Sequence, residues 1–136
     1  MNIETKLAEM GLTLPEPMQA PEGMRLPYAQ VRVRGNRAYI SGHGPLNADG
    51  SLPKPLGKVG AEVSLEQGYQ AARLAALAML SSLKRELGDL DRVTAWLRVF
   101  GMVNSAPAAF MRSYSRCTSS TKNMAAGWPC SNIACW

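Results

Sequence analysis

Three cysteines, one histidine and a close set of arginines are the residues of this 136-residue chain whose types could do chemistry. Structural zinc needs four ligands, usually in close pairs. Cys117, Cys130 and Cys135 stand in a C-x12-C-x4-C spacing that supplies no such pair, and the only histidine is the distant His43. We therefore expect inert thiols and no metal. Asp91 is the one carboxylate considered as a general acid or base, and neither a Ser-His-Asp order nor a phosphate-cradling glycine loop is present. His43 lies in "ISGHGP", where two glycines let the backbone approach a ligand closely and a strand end supplies open amides. Arg32, Arg34 and Arg37 could set three guanidinium groups against an RNA or DNA backbone, but a solvated strand face is the simpler reading.

The charge balance supports that simpler reading. The net charge is +5 and the pI about 9.4, yet residues 1–107 hold 12 Lys and Arg against 10 Asp and Glu, so the excess sits mostly on Arg112, Arg116 and Lys122 of the ending. Neutralising several phosphates takes a clustered basic face, so a nucleic-acid partner is not the expectation. The N-terminal "MNIETKLAEMG" interrupts its apolar residues with charges, unlike a signal peptide. The longest apolar run, "LAALAML" over 74–80, is too short to span a bilayer. A cytoplasmic protein with no membrane partner is expected, and in that compartment thiols stay reduced, which argues against a disulfide framework. At 46% apolar the chain suits one domain with a modest core.

These residues must be positioned by local structure, and the sequence predicts most of it. Asn2 can cap a short peripheral helix with Ile3, Leu7 and Met10 on one face and Gly11 as its left-handed stop. Four prolines between Pro15 and Pro27 make an extended surface connector. "AQVRVRGNRAYISG" alternates around Gly35-Asn36, predicting antiparallel strands over about 29–34 and 37–41. A Gly- and Pro-rich loop follows, with a turn at Asp49-Gly50 and a short strand near Lys58. Ser64 and Gln67 form a capping box for a long helix over about 65–87, whose stripe is Tyr69, Ala72, Ala76, Leu80, Leu83 and Leu87, ending at Gly88. "VTAWLRVFGMV" alternates and predicts a central strand over 93–103. Hairpin, long helix and strand make an α+β plan with the helix on one sheet face.

"PYAQVRVRGNRAYISGHGPLNADG", "GKVGAEVSLEQGYQAARLAALAMLSSLKRELGDLDRV" and "VFGMVNSAP" together resemble the RidA (YjgF) family, also called endoribonuclease L-PSP, in its branch with an extra N-terminal helix. The resemblance covers about residues 1–107. It implies a chorismate-mutase-like fold, a mixed β-sheet backed by helices, assembled as a homotrimer with a pocket at each subunit interface. It also implies hydrolysis of reactive imines and enamines, in the manner of a 2-iminobutanoate/2-iminopropanoate deaminase, on a small carboxylate metabolite and with no cofactor. Tyr28 matches the pocket tyrosine of the family's "PYSQ"-like segment. Ser41 and Gly42 match its "SGQ"-like turn, His43 stands where many members have glutamine, and Asn104 falls near the asparagine after the central strand. These five residues are the expected substrate-binding set, and no catalytic residue is assigned.

The resemblance stops at Pro107. The family's arginine, whose guanidinium can pair bidentately with a substrate carboxylate, and the glutamate of its last strand have no match, since Arg112 stands too close to the central strand. The domain is read as 1–24, helix and connector, 25–107, family core, and 108–136, an atypical and irregular ending. That ending holds the cysteines and no Asp or Glu. It reads as a frameshifted or misassembled terminus, with a natural divergent tail as the alternative. Three functions follow as expectations: a deaminase-like hydrolase weakened by the missing arginine, a non-catalytic small-molecule-binding trimer, or RNA binding and cleavage as the older family name implies.

Overall fold

Asn2 opens the first helix, α1 (Ile3–Glu9), because its extended backbone lets the side-chain oxygen accept from the Glu4 and Thr5 amides at 3.0 and 3.1 Å. The helix stops where predicted, with Gly11 at φ +67°. Strands β1 (Val31–Arg34) and β2 (Arg37–Ile40) follow as an antiparallel hairpin, paired Val31 with Ile40, Arg32 with Tyr39, Val33 with Ala38 and Arg34 with Arg37. Gly35 supplies the positive φ of its two-residue turn. Helix α2 (Leu65–Leu87) begins on the predicted capping box: the Ser64 amide donates to Gln67 Oε1 at 2.8 Å, and the Gln67 amide to Ser64 Oγ at 3.2 Å. It ends at Gly88, φ +80°, and a single 3₁₀ turn (Leu90–Arg92) follows.

The computed structural model describes residues 2–18 and 27–107 of the chain. They form two compact units, one of residues 2–18, 27–54 and 69–95, the other of 55–68 and 96–107. The α+β plan stands in the first. Val31, Leu83 and Leu90 are its buried centre, with Ile3, Leu7, Leu14, Ile40, Leu80, Leu87 and Val93 packed around them. The apolar side of the hairpin thus meets the C-terminal half of α2, as the alternation of β1 and the spacing 80, 83, 87 require. Helix α1 is peripheral in that none of its residues is buried. Met10 turns away to 58% exposure, so the predicted three-residue face reduces to Ile3 and Leu7.

Two sequence expectations need correction. The predicted stripe of α2 is buried only in its second half, since Tyr69, Ala72 and Ala76 are exposed, while Leu77, Ala78, Ser81 and Ser82 are buried instead. The reason is that the connector crosses this flank: Ser81 Oγ donates to the Pro15 carbonyl at 2.6 Å. The predicted strand over 93–103 forms no ladder among the described residues. Its apolar side chains lie open on both parities, Leu97 at 77% and Val103 at 66% as well as Met102 at 79%. Alternation marks a chain suited to a sheet, but a ladder also needs a neighbour whose amides and carbonyls are in reach.

The second unit is held by Val59. Its amide donates to the Asn104 carbonyl and its carbonyl accepts from the Ala106 amide, both at 2.9 Å, a parallel bridge to Ser105. A second bridge joins Val59 to Val63, and Glu62 closes the turn between them by accepting from the Lys58 amide at 2.8 Å. The short strand anticipated near Lys58 is therefore present as isolated bridges. The chain's cysteines and the irregular ending expected over 108–136 lie outside the described residues.

Candidate functional site

Ser41 leaves β2 with its amide donating to the Gln30 carbonyl at 2.9 Å, one rung beyond the hairpin ladder. Its hydroxyl turns to the same strand end, 3.0 Å from the Gln30 carbonyl and 3.3 Å from that of Ala29. A carbonyl oxygen can only accept, so the Ser41 proton is committed and its oxygen has no base beside it to become a nucleophile. Gly42 and Gly44 flank His43 on the exposed side, and a Cβ at either would meet nothing within 4 Å. The space over this turn is open to a ligand's approach to the backbone.

His43 points the other way. Its Nδ1 lies 2.8 Å from the Ser41 carbonyl and its Nε2 lies 2.8 Å from Ser82 Oγ on α2. Because the carbonyl has no proton to give, Nδ1 is the donor there, and in the neutral ring Nε2 accepts from the Ser82 hydroxyl. Both ring nitrogens are thus engaged within the chain. The imidazole braces the turn from beneath.

Ser82 sits at a junction. Arg85, one helical turn on, donates through Nη2 to Ser82 Oγ at 2.8 Å and through Nη1 to Ser81 Oγ at 2.6 Å. Gln30 Oε1 stands 3.0 Å from Ser82 Oγ and 3.4 Å from Arg85 Nη2. Buried hydroxyls on an apolar helix are costly unless bonded, and among the described residues no buried side-chain polar atom lacks a partner. Sequence reasoning missed Gln30, Ser81, Ser82 and Arg85. Two adjacent serines inside "LAMLSSLKREL" were the available signal, since hydroxyls interrupting a buried stripe ask for a polar neighbour.

Of the five residues expected to bind substrate, Ser41, Gly42 and His43 form one turn, and Tyr28, 51% exposed, stands just before the Ala29 and Gln30 carbonyls that hold it. Asn104 belongs to the second unit, where its carbonyl accepts from Val59 and its side chain reaches the Gly57 carbonyl at 3.4 Å. Asp91, considered as an acid or base, serves the fold instead, since its Oδ1 accepts from the Ile3 amide at 2.8 Å and so ties the 3₁₀ turn to the start of α1. Arg32, Arg34, Arg37 and Tyr39 share the exposed side of the hairpin, as the register demands. Among the described residues no cluster of His, Cys, Asp and Glu could hold a metal ion, and no helix is long and apolar enough to cross a membrane.

No family model matches the chain. It is similar to Protein TCP17 of Trypanosoma cruzi, 34% identical over 98 residues that make up 68% of this chain and 61% of TCP17. It thus spans somewhat less than two thirds of that relative. Among solved structures it is similar to a "putative endoribonuclease" of Shewanella oneidensis MR-1, with a TM-score of 0.70 and 29% identity over 89% of this chain and 76% of that one. It is also similar to Atu1372 of Agrobacterium tumefaciens, a protein of unknown function, with a TM-score of 0.64 and 32% identity over 77% of this chain and 59% of the other. Endoribonuclease is the older name of the RidA family, and the α+β fold of this chain is RidA-like.

Proposed function

We propose that the Tyr28 strand end and the Ser41–Gly42–His43 turn form the binding end of a RidA-type site for a small carboxylate metabolite, with imine or enamine hydrolysis as its reaction. The observation that carries this reading is the turn itself, braced underneath by His43 and open above Gly42 and Gly44. Backbone amides at such a turn suit a carboxylate or a carbonyl oxygen, and the phenol of Tyr28 adds a polar tip on an apolar ring. The described residues offer no free nucleophile or base at the turn, so the reaction would be addition of water to a bound, polarised imine. In this reading a neighbouring subunit of a homotrimer completes the pocket.

The test is to generate an enamine from serine or threonine with a dehydratase and follow ammonia and keto-acid release with and without the chain. Acceleration that fails in a Tyr28→Phe, Gly42→Ala double variant supports hydrolysis at this turn. Keto-acid binding without acceleration would instead make the protein a non-catalytic binder.

A second reading, RNA binding, is favoured by one observation: Arg34 faces Arg37 and Arg32 faces Tyr39 on the open side of the hairpin. Like charges directly opposite repel, and a phosphate backbone would relieve that while a base stacked on the tyrosine. RNA affinity that falls steeply with salt, and loses that slope when the three arginines are changed together, would establish it.

A further inference from the structure

We propose that Ser82 is a positioning residue for the Ser41–His43 turn, holding the orientation of the His43 ring from the far side of the site while the Ser41 carbonyl sets its tautomer. This rests on the reading of that turn as the binding end. No motif or resemblance points to Ser82, which lies 39 positions from His43 and is 4% exposed on α2.

Ser82 Oγ has three neighbours at hydrogen-bond distance and only one proton to share among them: Arg85 Nη2 at 2.8 Å, His43 Nε2 at 2.8 Å and Gln30 Oε1 at 3.0 Å. Arginine can only donate, so it occupies a lone pair of Ser82 and leaves the single hydroxyl proton to be directed at one of the other two. With a neutral ring, Nδ1 must keep its proton for the Ser41 carbonyl, so Nε2 is the acceptor and the hydroxyl points at His43. Gln30 Oε1 then keeps Arg85 Nη2, 3.4 Å away, as its donor. The donation to Gln30 Oε1 is open only when Nε2 itself carries a proton, that is, when the ring is an imidazolium. The direction of one buried O–H therefore goes with the state of His43.

Arg85 keeps this hydroxyl in place. It forks across both serines, and Ser81 passes its own proton to the Pro15 carbonyl, so the guanidinium is anchored to α2 and through Ser81 to the connector. On the opposite side Gln30 connects the network to the site by its backbone, since its carbonyl takes both the Ser41 amide and the Ser41 hydroxyl. Helix, connector and strand end thus converge on the turn without any of these groups facing the open side of Gly42.

His43 is the sole histidine of the chain, so imidazole ¹⁵N NMR on the full-length protein needs no assignment. In its neutral form the wild-type ring should show one tautomer, protonated at Nδ1. Ser82→Ala should leave the Nδ1 proton on the Ser41 carbonyl but displace the Nε2 resonance to that of an acceptor without its hydroxyl partner, and Ser82→Thr, which keeps the hydroxyl, should restore the wild-type shift. Enamine hydrolysis should fall about tenfold in Ser82→Ala, the effect of losing one ordinary hydrogen bond, and recover in Ser82→Thr. Unchanged ring shifts in Ser82→Ala overturn the inference, and so do shifted nitrogens with unchanged hydrolysis. Should Ser82→Ala fail to fold, a Ser82→Thr variant with a displaced Nε2 resonance overturns it on its own. A wild type with neither hydrolysis nor keto-acid binding refutes the proposed function instead, while the ring nitrogens still report whether Ser82 governs His43.

Discussion

Two stretches of this chain alternate apolar and polar residues with equal clarity, and only one of them builds a sheet. Val31 of the hairpin turns inward to 6% exposure because Leu83 of α2 and Leu90 of the 3₁₀ turn stand over it, with Val33 half-buried beyond them. Trp96 to Val103 carries a comparable pattern in the second unit and remains open, from 53% at Trp96 to 79% at Met102. Alternation records which side of a strand could be dry. It does not provide the surface that dries it, and a strand's stability comes from cross-strand and face-on packing more than from its own propensity.

The largest test of that difference is truncation at matched positions. Leu83→Ala removes a side chain that is 1% exposed and should cost about 2–5 kcal/mol, a large part of the about 5–15 kcal/mol that holds an ordinary domain together. Leu97→Ala, at 77% exposure, should change stability by no more than about 0.5 kcal/mol. Urea denaturation of the two variants decides it. Equal losses would mean that Leu97 is covered in solution and that the contrast between the two stretches is false.

The next effect is a backbone one. Gly50 has φ +80° and is buried in the turn that the connector crosses, where the Glu16 amide donates to the Ala48 carbonyl at 3.0 Å. A Cβ there would run into the Pro17 carbonyl. Gly50→Ala should lose about 2–4 kcal/mol, from the left-handed strain and the overpacking together. Gly101→Ala, in the open stretch, has no positive φ and no neighbour within 4 Å, so it should be neutral or slightly stabilising. Thermal melts of the pair would sharpen the contrast, and a harmful Gly101→Ala would break it.

Legibility in the sequence divides along the same line. Helix α2 is legible to the residue because its start is a local capping box and its stop a glycine, signals that span three or four positions. The Gly35-Asn36 hairpin and the Asn2 cap are legible for the same reason. Ser82, Arg85 and Gln30 are not, because what makes them matter is a set of contacts 39 to 55 positions apart, with only a pair of serines in an apolar stripe to hint at it. His43 reads as a residue facing substrate, on its place in the "SGQ"-like turn. Its ring nitrogens face Ser41 and Ser82 instead, which spacing cannot reveal. The segment 93–103 reads as a strand and forms no ladder, because period two is necessary for a strand and not sufficient.

Within the well-packed unit, function and stability should separate at Gly42. It has no positive φ and open space at its Cβ position, so Gly42→Ala should leave the melting temperature within about a degree while weakening keto-acid binding about tenfold. Titration by NMR would measure both site occupancy and fold integrity. Undiminished binding would remove the turn from the site, whereas a lowered melting temperature would show that its open face is packed against something.

The smallest effect lies in the second unit and concerns acid. Glu62 accepts the Lys58 amide through Oε2 at 2.8 Å, and that bond holds its carboxyl below the ordinary value of 4.5. A depressed pKa means that the folded turn binds the proton less readily than the unfolded chain does. Its contribution is therefore fully present above about pH 4.5 and is lost as pH falls through the lowered value. Asp49 in the first unit behaves alike, its carboxyl lowered by the Ser51 hydroxyl and amide. Both carboxylates are fully exposed, so the effect on global stability should be slight. The distinction between them is in what else supports the turn. The Asp49 turn also has the Asn47 amide donating to the Ser51 carbonyl and the Asn47 side chain on Ser51 Oγ, and it packs under the connector. The Glu62 turn has the Ala61 and Val63 amides on the Lys58 carbonyl and the Gly60 amide on the Val63 carbonyl, all bonds within one short loop. On acidification the Lys58 amide should shift with the Glu62 carboxyl and then exchange rapidly with solvent, while the Ser51 amide shifts with Asp49 yet stays protected. Glu62→Gln should abolish the Lys58 titration. A Lys58 amide that stays protected below its titration step would show that the second unit holds this turn as firmly as the first holds its own.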